Sequence, residues 1–265
     1  MRSFDSLEEY QKLLQEMRAW MTTYMKSFYT QEKDIQQAIL MKEAHTWCVT
    51  RIAKALALHL ELSAKDVALA EVMGLFHDVG RFRQFTLYQT FNDADSEDHA
   101  DLGLKVLADL PLMKKLPPVD AEAVRFAIGR HNKKEIGPAK TPRMLLFAKL
   151  LRDADKLDIY RVLRPFLASP DGQGVSADFL TSFCNGEQVD YRRIRTQDDR
   201  KLVRLMWAYD VNYAWTLRKI MEKNYLQDIV QHLPSEEKIQ AGAAKLFAYV
   251  QNKIAQEDPK GIPQA

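Results

Sequence analysis

The chain has 265 residues, 46% hydrophobic and 28% charged, a balance that suits a soluble globular protein and excludes a disordered one. Lys and Arg number 38 against 36 Asp and Glu, so no global basic field points to a nucleic-acid polymer or an anionic membrane. Gly and Pro number only 10 each, which favours helices over tight hairpins.

Cys48 and Cys184 make neither a metal-type pair nor a disulfide framework, and a reducing cytoplasm is the expected compartment. Met1-Arg2-Ser3-Phe4-Asp5-Ser6 leads into charged residues and lacks the apolar core of a secretory signal. No stretch reaches the roughly 18 uninterrupted apolar residues of a spanning helix.

In chain order, residues 6–29 read as an amphipathic helix. Ser6 and Glu9 are spaced as a capping box, and Leu7, Tyr10, Leu14, Met17 and Met21 follow at helical spacing. Residues 33–61 read as a second helix, with His45, Val49, Ile52 and Leu56 on one face. A lone histidine on such a face is ordinarily a hydrogen-bonded core residue, and His59 near the helix end is read that way. Ser63 caps a third helix, whose apolar run Val72-Met73-Gly74-Leu75-Phe76 ends in His77-Asp78. Gly80 is read as its terminator. A carboxylate at Asp78 beside so apolar a surface needs a metal ion or a cationic side chain such as Arg81 or Arg83.

Residues 82–95, with Phe85, Tyr88, Thr90, Phe91, Asn92 and Asp93, read as a polar, aromatic-rich loop. Ser96 is the expected cap of the next helix, which carries His99, Leu102, Val106 and Leu110 on one face. Pro117-Pro118 breaks the chain, and Asp120 is the expected cap of a helix whose stripe Val124, Ala127, Ile128 ends at His131. Lys133 and Lys134 follow, as a solvated helix end or as a rim that steers phosphate. Thr141-Pro142 signals the start of a helix that carries Leu145, Phe147, Leu151 and Asp155 on its buried side. Asp153 is assigned to the surface between Lys149 and Lys156, and Asp158, one turn after Asp155, to a supporting position.

Residues 168–190 read as a loop with a short helix; Gly172 and Gly174 lack the strand and Lys-Ser/Thr of a phosphate loop. Arg192-Arg193-Ile194-Arg195 reads as solvated surface. Residues 198–223 read as one long helix and 235–255 as a final one, with a frayed tail from Glu257. No strand pattern, internal repeat or low-complexity segment is evident. The expectation is an all-α single domain, 1–265, with a core at 34–161 and a C-terminal helical extension at 162–265.

Four imidazoles and two carboxylates, His45, His77, Asp78, His99, His131 and Asp155, each end or interrupt an apolar stripe. Their convergence predicts one polar site of mixed nitrogen and oxygen donors. Such a set suits one or two divalent ions of Mn, Fe, Ni, Co or Zn, with Mg admissible.

The order His…His-Asp…His…His…Asp resembles the HD superfamily of metal-dependent phosphohydrolases. In that family the first His, the His-Asp doublet and the last Asp hold one metal, which the resemblance assigns to His45, His77, Asp78 and Asp155. Ala154-Asp155-Lys156-Leu157 matches the family's Ala-Asp-Arg-Leu pattern. Members with additional histidines hold a second metal, which implies His99 and His131 with Asp78 bridging. His77-Asp78-Val79-Gly80-Arg81-Phe82, followed by Thr90-Phe91, Ser96 and Asp98-His99-Ala100, is most similar to stand-alone HD proteins. Arg81 stands where the cyclic-dinucleotide phosphodiesterases carry Lys, Arg130-His131 where they carry paired histidines, and their Gly-Tyr-Pro signature is missing.

The resemblance implies hydrolysis of a small phosphate ester, a nucleotide or related monoester or diester, by metal-activated hydroxide. Asp78 and Arg81 are then catalytic, and Arg81, Lys133 and Lys134 bind substrate. A second reading is a metal- and nucleotide-binding regulatory module without turnover. Neither involves a membrane or a nucleic-acid polymer, and both admit a homo-oligomer.

Overall fold

Serine hydroxyls start the first and third helices of the computed structural model, which describes residues 6–167, 174–187 and 189–256. At the head of α1 (Leu7–Lys26), the Glu9 N–H donates to Ser6 Oγ at 3.2 Å and the Ser6 N–H to Glu9 Oε2 at 3.1 Å. The long α2 (Lys33–His59) follows. Ser63 Oγ accepts from the Asp66 N–H at 3.2 Å and opens α3 (Ala64–Phe76). Every residue of α3 from Val67 to Phe76 is buried, because α1, α2 and α6 all pack on it. It is the apolar axis of the first of two compact units, Met1–Asp158 and Ile159–Ala265.

Gly80 does not end the third helix. That helix stops at Phe76, and after His77 and Asp78 a new one, α4 (Val79–Tyr88), begins with Gly80 inside it. A Cβ at Gly80 would lie 2.3 Å from the His99 carbonyl and 2.6 Å from Gly103 N. The glycine is there so that α4 and α5 (His99–Ala108) can touch backbone to backbone.

The same helix replaces much of the expected 82–95 loop, which is reduced to a left-handed Gln89 and one 3₁₀ turn at Asp93–Asp95. Buried Gln84 holds that segment, donating to Asp93 Oδ1 at 2.9 Å, Ser96 Oγ at 2.8 Å and the Glu97 carbonyl at 2.8 Å. Ser96 is not the cap of α5. Asp98 accepts the Ala100 and Asp101 N–H groups at 2.9 and 3.1 Å, since Ser96 Oγ is turned to the Asn92 carbonyl.

Helix α6 (Pro118–Arg130) starts at Pro117, and Asp120 lies within its first turn rather than capping it. The Asp120 carboxylate instead accepts from Tyr10 Oη and, at 2.7 Å, from Arg143 Nη1, tying α1 and α7 (Pro142–Leu163) to α6. Thr141 Oγ1 accepts from the Met144 N–H at 3.2 Å, as the Thr-Pro start signal predicts. Phe147, Ala148, Leu150 and Leu151 of α7 are wholly buried. So is Asp153, which the sequence reading had placed on the surface: α7 is enclosed on more than one face, and its local charge spacing cannot report that.

In the second unit, α8 (Ala177–Asn185) packs on α9 (Gln197–Met206) and α12 (Glu237–Gln256), with α10 (Ala214–Glu222) and α11 (Tyr225–Gln231) completing the cluster. The expected helix over 198–223 is broken. Trp207–Asp210 tightens into a 3₁₀ turn, and Val211 is extended. Lys253 Nζ donates to the freed Val211 carbonyl at 2.6 Å, so a side chain from α12 makes the break tolerable. Arg192, Arg193 and Arg195 are exposed and paired with Asp190 or Asp178, in keeping with a solvated cluster. Gly172 and the tail from Glu257 lie outside the described residues. Among the described residues there is no strand, and no helix is long and apolar enough to cross a membrane. The architecture is all-α, as expected.

Two predictions follow from this packing. Gly80→Ala forces α5 away from α4 and lowers stability by about 1–3 kcal/mol, the usual cost of overpacking, read by urea unfolding of the full chain. The second concerns buried Asp199, which accepts the N–H of Ser176 at 2.8 Å, of Arg195 at 3.0 Å and of Thr196 at 3.3 Å. Burial pushes its carboxyl up, but these bonds outweigh burial and hold it below the ordinary value. A depressed carboxyl stabilises the fold above its unfolded pKa of about 3.9 and loses that contribution as pH falls through the folded value. The gap in melting temperature between wild type and Asp199→Asn therefore narrows as the pH is taken from 7 towards 3.

Candidate metal centre

Helix ends build the site. His77 is the last-turn residue after α3, Asp78 precedes α4, His99 is the first residue of α5, and His131 follows α6. His45 and Asp155 come from within α2 and α7. All six predicted ligands meet in the first unit. Five are buried and Asp155 is half-buried.

The cluster resolves into two groups whose donor atoms lie within 4.8 Å of one another: His45, His77 and Asp155, and Asp78, His99 and His131. Asp78 faces both. Its Oδ2 is 3.6 Å from His45 Nε2 and 3.5 Å from His77 Nε2, while its Oδ1 is 3.4 Å from His99 Nε2 and 3.8 Å from His131 Nε2.

Each imidazole is oriented from behind. His77 Nδ1 donates to the Gly74 carbonyl at 2.8 Å and His131 Nδ1 to the Ile128 carbonyl at 2.7 Å. His45 Nδ1 donates to Asp158 Oδ2 and His99 Nδ1 to Asp93 Oδ2, both at 2.7 Å. A ring that donates from Nδ1 and is neutral has a bare lone pair on Nε2. Yet His99 and His131 bring their Nε2 atoms to 2.9 Å, and His45 and His77 to 3.3 Å. Lone pairs held face to face beside carboxylates are satisfied by a proton or a cation between them. Each group has a donor set that could hold a divalent metal ion.

The charges are consistent with this. Asp78 is penalised by burial, yet Lys42, His77 and His131 hold its carboxyl well below the ordinary range. Asp155 is lowered likewise, against burial, chiefly by His45 and His77. Burial is the main reason the His99 imidazole is pushed down to about 4, which keeps it neutral near pH 7.

Of the proposed substrate contacts, Arg81 lies at the cluster, with Nε 3.6 Å from Asp78 Oδ1. Its Nη1 donates to the Phe91 carbonyl at 2.6 Å, Gln84 Oε1 at 2.7 Å and Asp93 Oδ1 at 2.8 Å. Lys133 is turned to Asp98 at 2.6 Å and Asp101 at 3.4 Å, and Lys134 is exposed.

Three residues were missed by the sequence reading. Lys42, one helical turn before His45, places Nζ 2.7 Å from Asp78 Oδ2; its i, i+3 spacing from His45 was the available signal. Asp93 orients His99 across a segment read as a loop. Arg152 donates to the carbonyls of Arg130, His131, Lys133 and Lys134, fixing the chain on either side of His131. No local pattern announces the last two.

The family model of the HD domain matches residues 43–160, the stretch that contains all six clustered His and Asp residues. That match is consistent with an HD superfamily protein, in keeping with the resemblance carried by the motif order. Comparison with curated proteins and comparison with solved structures gave no match.

Asp158 is the sharpest test of the orienting shell. Asp158→Asn weakens binding of Mn²⁺ roughly 10- to 100-fold, the usual effect of losing a carboxylate behind a ligating histidine, with the helical circular dichroism unchanged. Calorimetric titration with Mn²⁺ reads the change directly.

Proposed function

We propose that the protein is a metal-dependent phosphohydrolase acting on a small phosphate ester, a nucleotide being the expected class. The observation that carries this reading is the placement of Asp78, whose two carboxylate oxygens face different pairs of histidines. The HD domain over 43–160 supports it, since that family consists mostly of metal-dependent phosphohydrolases.

His45, His77, Asp155 and one oxygen of Asp78 would hold one ion; His99, His131 and the other oxygen would hold a second. When bound, divalent ions supply Lewis acidity, lower the pKa of water and offset the charge on a phosphoryl group. The chain's own residues supply the rest. Asp93 and Asp158 keep the His99 and His45 rings turned inward, and the Gly74 and Ile128 carbonyls do so for His77 and His131. Arg81 keeps its planar guanidinium at the cluster through three acceptors, so its approach to a substrate anion needs little further ordering.

The test is turnover with Mn, Ni or Fe added, across nucleoside monophosphates, other phosphomonoesters and diesters. Metal-dependent release of phosphate or alcohol is expected from at least one class, and Asp78→Asn removes it. A protein that binds two equivalents of metal and turns over no ester would overturn the proposal.

A further inference from the structure

Resting on that reading, the structure assigns a further residue to the site: we propose that Lys42 is a second contact, beside Arg81, for the substrate's phosphate, released from Asp78 when metal binds. The residue stands one position before the stretch matched as an HD domain. Among the described residues, it is the only Lys or Arg with a nitrogen within hydrogen-bond distance of a side chain of the six clustered residues.

Three observations lead there. The Lys42 ammonium donates to Asp78 Oδ2 at 2.7 Å, the same oxygen that faces His45 and His77. It thus sits where an ion shared by those groups would draw its charge. A divalent cation and an ammonium crowded onto one oxygen repel each other strongly at such distances. One must yield, and the lysine has the freer anchor, a four-carbon stem whose side chain is 12% exposed against 3% for Asp78.

The second observation is what lies beside it. Lys42 Nζ is 5.3 Å from the centre of the Phe91 ring, and the Arg81 guanidinium is 6.0 Å from the same ring. The ring gives the ammonium a resting face off the carboxylate without returning it to bulk water. Two cations then flank one aromatic residue at the edge of the cluster, and an incoming phosphate supplies the anion that Lys42 gives up.

The third is the fate of the other cations. Arg81 Nη1 already has three acceptors, and Lys133 is paired with Asp98. Lys42 alone loses its partner when the centre is loaded. Its three rotatable donors suit the change from carboxylate to phosphoryl oxygen.

The experiment compares wild type, Lys42→Met and Lys42→Arg as full-length proteins, with circular dichroism and melting temperature as fold controls. Calorimetry measures Mn²⁺ binding to each, then inorganic phosphate binding to each Mn-loaded protein; steady-state kinetics use whichever phosphate ester the wild type hydrolyses. Lys42→Met is expected to bind Mn²⁺ several-fold more tightly, having lost the competing ammonium, and inorganic phosphate roughly tenfold or more weakly. KM rises with it, and Lys42→Arg restores most of the phosphate affinity. Equal phosphate affinity and equal KM in wild type and Lys42→Met, with turnover intact, would overturn the role of Lys42 and leave the phosphohydrolase reading standing. Metal-loaded wild type that neither binds phosphate nor hydrolyses any ester overturns both. If Lys42→Met does not fold, Lys42→Gln takes its place under the same expectations.

Discussion

One buried carboxylate governs this molecule. Asp78 is almost entirely removed from water, and burying an unpaired charge costs on the order of several kcal/mol. The chain answers by facing both oxygens with nitrogen, from His45, His77 and Lys42 on one side and from His99 and His131 on the other. Removing any one of these leaves the rest imperfectly compensated, so the cluster is a single electrostatic unit rather than six separate side chains.

The helices are arranged to serve it. Asp78 can be at the centre only because α3 stops at Phe76 and α4 starts at Val79, turning the chain at the His-Asp doublet. That corner brings α4 against α5, and the absence of a side chain at Gly80 lets the His99 carbonyl come close. His99 opens α5, where the positive end of the helix favours the neutral ring that can act as a ligand. Packing, backbone geometry and charge are therefore one problem at this corner, and a change in any of them reaches the clustered His and Asp side chains.

The gaps in the sequence reading have a common cause. Gly80 was read as a terminator and Ser96 and Asp120 as caps, because those residue types often do that locally. Each was instead committed to a partner outside its own segment: Gly80 to the α5 backbone, Ser96 to Gln84 and Asn92, Asp120 to Tyr10 and Arg143. Asp153 was placed among lysines on the surface, yet is buried. The break at Trp207–Asp210 was invisible for a similar reason, since the Lys253 side chain that stabilises it lies far along the chain.

From residue order alone came the all-α class, the helix starts at Ser6, Ser63 and Thr141, and the six donors at 45, 77, 78, 99, 131 and 155. These were legible because apolar periodicity, capping chemistry and ligand type are local properties of a chain. Tertiary structure decided which oxygen of Asp78 faces which histidines, that Asp93 and Asp158 stand behind two of the rings, and that Lys42 donates to Asp78. Those facts depend on distances between side chains up to 113 positions apart, and the packing of one helix on another sets them.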